Sequence, residues 1–222
     1  MSPELSEGLS HFLETLKYVS GGITVTLQYT LISAMGGLVL GLILALCKVG
    51  PWKISNKFAD FYTSIFRGTP MLVQLSLIYF GVPSLFAYKI SPLLAGVIAF
   101  SLNSGAYVSE IIRLGIQSVD KGQMEAAHAL GIPYVLAMRD IILPQAVRNA
   151  LPALVNEVVN LLKETALIST LGEEDIMRKA QLVAAETYSY FEPLLIAAAC
   201  YYVLVLSLSA FAKKLEKRLK YV

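Results

Sequence analysis

Two short segments carry side chains from which chemistry could be built. NEVVNLLKETALIST, residues 156–170, places Glu157, Asn160 and Glu164 at i, i+3 and i+7, on one face of a helix. LNSGAYVSEIIRLG, residues 102–115, places Asn103, Tyr107 and Glu110 at i, i+4 and i+7. Carboxylates and amides aligned within apolar sequence suit reversible binding of a polar or positively charged solute. Groups of this kind are costly in lipid and usually face a pathway or a partner. Glu110 and Arg113 are three residues apart, and a local ion pair is the reading adopted for both. His11 and His128 stand alone, so no histidine cluster proposes a metal. Cys47 and Cys200 lie in apolar runs without zinc or redox spacing and read as small buried hydrophobes.

The elements that hold these residues must be membrane spans. The 222-residue chain is one domain with a mean hydropathy of +0.63 and 15% charged residues. Soluble domains carry about 25%. A net charge of +2 is too small to suggest nucleic acid as a partner. Five stretches, near 22–47, 58–82, 92–114, 150–171 and 192–212, reach the roughly 20 residues that cross a bilayer. Residues 1–20 hold Glu4, Glu7 and Glu14 among scattered apolar positions, which reads as an interfacial helix and not as a cleavable signal.

Lysine and arginine fix the sides. Lys48, Lys53 and Lys57 follow the first span, Lys121, Arg139 and Arg148 the third, and a basic tail, AKKLEKRLKYV, the fifth. Only Lys89 follows the second, and the loop at 172–191 is mainly acidic. The alternation places the N-terminus outside, the C-terminus inside, 120–148 in the cytoplasm and 172–191 outside, where Tyr188, Tyr190 and Phe191 suit an aromatic belt. The expected fold is all-α, with five transmembrane helices. By helical rise, Asn103 then lies ~17 Å deep and Glu164 ~21 Å from the inner side, close to one level. A bond to adjacent Lys163 is the competing reading of Glu164, and interhelical bonding that of Asn103.

The second span contains Arg67-Gly68-Thr69-Pro70, where Pro70 should kink the helix. A broken helix can mark a pathway, with Gln74 one turn on as a lining candidate, or it can be a packing kink. Gly37 and Gly41 form a G-x-x-x-G pair that predicts close helix packing.

The cytoplasmic loop reads SVDKGQMEAAHALGIPYVLAMRDIILP. Asp120 and Gln123 form a capping-box variant that starts a helix over 123–130. Gly131 ends it in a left-handed position. Pro133 opens a second helix that Pro144 closes, and Pro144 can open the next, toward the fourth span. On composition the loop is either an amphipathic connector on the bilayer surface or an element docked in a groove of a soluble partner.

Its residues resemble the EAA pattern of ABC importer permeases. Glu125-Ala126-Ala127, three residues, Gly131, nine residues, Ile141, one residue and Leu143-Pro144 fill every fixed position. RGTPMLVQL at 67–75 and NEVVNLLKETALIST are similar to the branch for polar amino acids, and the likeness covers roughly 18–215. The resemblance implies a coupling helix that enters a cleft on an ATPase subunit. It implies two ATPase subunits, a second permease copy or sister permease, an extracytoplasmic binding protein and the bacterial inner membrane as location. No G-x-x-x-x-G-K-[ST] run occurs, so ATP and Mg are expected on the separate ATPase, and no cofactor or catalysis on this chain. The candidate substrate-facing set is Glu164, Asn103, Tyr107, Asn160 and Gln74. A carboxylate at mid-depth favours arginine, lysine or histidine, with glutamine or another neutral or acidic amino acid as the alternative. An ATP-independent transporter or channel, and a non-transporting anchor or sensor, are the rivals from other classes.

Overall fold

A computed structural model describes the backbone of residues 3–220 and the side chains of residues 6–214. Glu4 and the tail residues Lys217, Arg218 and Lys220 thus lie outside the described side chains. Helix is the only regular structure among the described residues. Helix α1 (Pro3–Ser20) leads through Gly21-Gly22 into α2 (Ile23–Val49), and Ser6–Val49 forms one 44-residue helical stretch. α1 also packs inward: Val19 is fully buried with Ile176, Ala180, Ile196 and Ala197.

The centre of the molecule is the seam between α2 and α6 (Pro92–Gln117). A Cβ added at Gly37 would lie 2.8 Å from the Ser104 Cβ, and one at Gly41 only 2.4 Å from the Val108 Cγ1. The close packing expected from G-x-x-x-G is what the two helices do. Without larger side chains between them, dispersion contacts and weak backbone interactions hold them.

The second expected span is a corner and not a kink. α3 (Lys53–Gly68) begins five residues before the expected start, and the chain turns through 102° into the helix from Met71 to Phe86. That arm comprises α4 (Met71–Ser76), a wide π turn (Leu77–Gly81) and α5 (Val82–Phe86). Pro70 disfavours a helical residue before it, and Thr69 is accordingly extended at φ −121°, ψ 146°. Two non-helical residues in a row re-aim the chain where one proline would only bend it.

Past α6, α7 (Lys121–Ala129) starts two residues earlier than expected. Asp120 Oδ1 accepts from the Gly122 amide at 2.7 Å, so the cap is present while the reciprocal Gln123 contact is not its basis. Gly131 has φ +74°. The Gly131 amide donates to the His128 carbonyl and the Ile132 amide to the Ala127 carbonyl, both at 3.0 Å, the paired bonds of a Schellman end. Pro133 is the extended residue before α8 (Tyr134–Ala137), one position earlier than expected.

Pro144 does not close that helix as expected, but it does open the next, as the sequence also allowed. α8 passes through a π turn (Met138–Ile142) directly into α9 (Leu143–Glu164), with Pro144 in its first turn. The wider turn accommodates a residue with no amide hydrogen to donate. After Glu164 the chain tightens to a 3-10 segment (Thr165–Leu171), so the expected fourth span is α-helical only to Glu164. α10 (Ile176–Thr187) and α11 (Phe191–Lys220) complete the chain. Asp175 caps α10 by accepting from the Arg178 amide at 2.8 Å, and burial pushes its carboxyl up from the usual range.

Three described helical stretches are long and apolar enough to cross a membrane, and a fourth is added if α3 and the arm after it count as one. α9 is not among them. It carries Arg148, Glu157, Lys163 and Glu164, the ionisable groups that single it out for function.

Candidate functional site

The motif residues between 125 and 144 divide by burial. Glu125, Ala126, Gly131, Leu143 and Pro144 are exposed, while Ala127 faces inward. Ile141 packs against the cluster of Val119, Ile142 and Ala146, which fixes the segment to the ends of α6 and α9. Between the motif's ends stands an apolar crest that sequence reasoning did not single out: Leu130 is 79% exposed, Val135 72% and Tyr134 53%. Leu130 flanks the left-handed turn, and Tyr134 and Val135 open the next helix. An apolar ridge beside a rigid turn is suited to insertion into a partner's groove. The adjacent Arg139 and Asp140 bond to each other, Nε to Oδ1 at 2.6 Å, and that bond holds the exposed Asp140 carboxyl below its usual value.

The polar face of α6 is spent on the corner between α3 and α4. Asn103 Nδ2 donates to the Phe66 carbonyl and to Gln74 Oε1, each at 3.0 Å. Gln74 Nε2 donates to the Phe66 and Thr69 carbonyls at 2.9 and 3.0 Å. These are carbonyls left open where α3 ends, and the two amides close them. One turn on, the Tyr107 ring lies under the Arg67 guanidinium, 5.3 Å from its centroid. Glu110 pairs with Arg113, as expected, at 2.6 Å. Gln74 and Asn103 therefore share one site, with their amides turned toward the end of α3, and the Tyr107 ring adjoins it through Arg67.

The second group stands on α9. Asn160, Lys163, Glu164 and Leu167 line a shallow pocket. Glu164 is the last residue of the α-helix, where the backbone dipole disfavours a carboxylate. Two turns earlier, the partly buried Glu157 accepts from Ser104 Oγ at 2.9 Å. No ion pair with either carboxylate occurs among the described residues, Lys163 included. No hydrogen bond among the described residues joins this group to the Gln74–Asn103 pair.

Residues 37–221 match the family described as the inner membrane component of binding-protein-dependent transport systems. This chain belongs to that family. The permease is 57% identical over 211 residues to the putative glutamine transport system permease protein GlnP of Rickettsia typhi, covering 95% of this chain and 97% of the relative. It is 50% identical over 205 residues to the arginine transport system permease protein ArtQ of Bacillus subtilis, covering 92% and 94%. A crystal structure of an amino acid ABC transporter with histidines superposes with a TM-score of 0.88 at 45% identity, covering 93% of this chain and 98% of that one. The permease is thus the membrane-spanning component of an ABC amino-acid transporter, with the all-α fold of that family.

The permease also contains an ionic cluster of which only the Glu110–Arg113 pair was expected from spacing. The Lys48 ammonium, its side chain 3% exposed, donates to Glu110 and, at 2.8 Å, to Thr63 Oγ1, and lies 3.1 Å from Asp60. Arg67 approaches Glu110 at 3.8 Å. Helices α2, α3 and α6 are clamped at one point. Lys48→Met removes the ammonium shared by Asp60 and Glu110 but leaves Glu110 with Arg113, so it should destabilise the assembled permease by less than the roughly 3–5 kcal/mol of a broken isolated buried pair. The double variant Lys48→Met/Glu110→Gln should lose less than the sum of the two single losses in thermal unfolding of the purified complex, because the Lys48–Glu110 contact is then lost only once. Additive losses would mean that the two side chains are not energetically coupled.

Proposed function

We propose that the permease imports a cationic amino acid (arginine, lysine or histidine) across the bacterial cytoplasmic membrane. The observation that carries this reading is the pair of carboxylates on α9, Glu157 and Glu164, which have no ion-pair partner among the described residues. Asn160 lies between them on the same face. A cation passing this face supplies the charge that the helix lacks, and an uncharged solute does not. The arginine relative and the histidine-bearing neighbour agree with the cationic reading, while the glutamine relatives favour the second reading, a neutral amide substrate.

In this proposal the chain crosses the membrane five times, N-terminus outside and C-terminus inside. Two ATPase subunits, which hold ATP and Mg, dock on the crest around Leu130 and Tyr134. A second copy or a sister permease completes the pathway, and a binding protein delivers substrate from outside. Closure of the ATPase pair on ATP moves the docked helices and turns the pathway outward. Each ligand shifts that equilibrium only by its differential affinity for the two states. The deciding experiment is ATP hydrolysis by the purified complex with its binding protein and single amino acids. Stimulation by arginine, lysine or histidine is the expected result. Stimulation by glutamine alone would overturn the cationic assignment and leave the second reading.

A further inference from the structure

We infer that the end of the permease beside the docking segment holds an anionic phospholipid, with one acyl chain in a groove and its phosphate on Lys53 and Lys57. The groove has a volume of about 370 Å³ and lies between α2, α6 and the docking segment, with walls that include Leu42, Leu46, Val49, Ile116, Tyr134 and Met138. From Leu42 to Val49 it follows α2 for ~10 Å by helical rise. Its lining is almost wholly apolar and open along one side, which suits a flexible hydrocarbon chain. At the lip the chain reads Gly50-Pro51-Trp52-Lys53, and Trp52 and Tyr134 are both well exposed there. Exposed Trp and Tyr at the end of an apolar surface mark headgroup level.

Charge selects the headgroup. At this end Lys48, Arg67 and Arg113 are bonded or paired with Asp60 and Glu110, and Arg139 is paired with Asp140. Lys53 and Lys57, four residues apart at the start of α3, are in no ion pair among the described residues. α3 also exposes Ile54, Phe58 and Phe61 at i, i+4 and i+7, the apolar stripe of a helix that lies in the interface with its lysines at the surface. A zwitterionic lipid would fill the groove, but its own ammonium cancels its phosphate and leaves no net counter-charge for the two lysines. An anionic one satisfies groove and lysines together. Because the groove's far wall is Tyr134 and Met138, the lipid would brace the docking segment against α2. The bracing rests on the proposed docking role, and the lipid site itself does not depend on which amino acid is carried.

The test uses the complete transporter with its ATPase, reconstituted in nanodiscs of phosphatidylcholine with or without phosphatidylglycerol. Native mass spectrometry after detergent release counts retained lipid. Phosphatidylglycerol should be retained over phosphatidylcholine, and the double variant Lys53→Gln/Lys57→Gln should weaken its retention ~30-fold, the equivalent of ~2 kcal/mol at about 1 kcal/mol per lysine. Lys53→Arg/Lys57→Arg should preserve it. Leu46→Trp, which projects a larger side chain into the groove, should displace the lipid with both lysines intact. Substrate-stimulated hydrolysis should rise with phosphatidylglycerol for the parent protein and lose that dependence in the Gln pair. Unchanged retention in the Gln pair would overturn the proposal. So would a Leu46→Trp variant that changes the oligomeric state without changing bound lipid, since the groove would then be a contact between copies. Normal lipid retention with no amino-acid stimulation would instead count against the transport reading alone.

Discussion

Glu164→Gln should lower uptake of arginine and lysine by one to two orders of magnitude per assembled complex, and lower glutamine uptake far less. The substitution keeps the shape of the side chain and removes its charge. Glu164 ends α9, where the helix dipole already opposes a negative group, and it has no ion pair among the described residues. An ionised carboxylate deep in a bilayer costs at least about 2.5 kcal/mol on insertion scales unless water or a cation accompanies it. Loss of one desolvated charge pair costs roughly 2–5 kcal/mol, partly offset here by the contacts that remain. Uptake of both substrate types in proteoliposomes, normalised to assembled complex, separates the alternatives. Equal losses for charged and neutral substrates would mean that Glu164 serves helix packing.

At the other end of the same helical run, Gly131→Val should leave the membrane helices assembled yet weaken ATPase association or uncouple hydrolysis from uptake. The backbone at Gly131 has φ +74°, and a Cβ there would meet nothing within 4 Å. Any effect is therefore conformational and not steric. A β-branched residue held in that region costs on the order of 1–3 kcal/mol. Relaxing the strain would break the paired bonds from Gly131 and Ile132 that aim Leu130 and Tyr134. Gly131→Asn, which tolerates the left-handed conformation, should retain most of the coupling. ATP-driven uptake at the normal rate in the Val variant would remove the turn from the coupling account.

What was legible in the sequence was local. Gly37 and Gly41 announced the α2 seam, Asp120 and Gly131 bracketed α7, and the spacing around Glu125 pointed to the family, because each depends on residues within a few turns. The misses have a common cause. Gln74 and Asn103 are 29 residues apart, Ser104 and Glu157 are 53, and Lys48 and Glu110 are 62. No helical period connects such pairs. Asn103 and Gln74 carried both a pathway and a packing reading, because their polarity was visible and the open carbonyls of Phe66 and Thr69 were not. Pro144 read as a terminator because a π turn leaves no composition signal. Exposure at Leu130, Tyr134 and Val135 depends on what fails to pack over them, a property of the whole fold.

The unbroken helical backbone from Tyr134 to Glu164 has a mechanical meaning. Its 31 residues trace ~46 Å of helical path by helical rise, and in the proposed assembly the ATPase loads one end. Two compliant points interrupt its stiffness, the π turn at Met138–Ile142 and Pro152. Both lie on the docking side of the carboxylates. Flexure absorbs part of any stroke before it reaches residue 153, and the stretch beyond has no such weak point. Glu157 and Glu164 therefore stand on one stiff unit, which fixes their separation along the axis at ~10 Å.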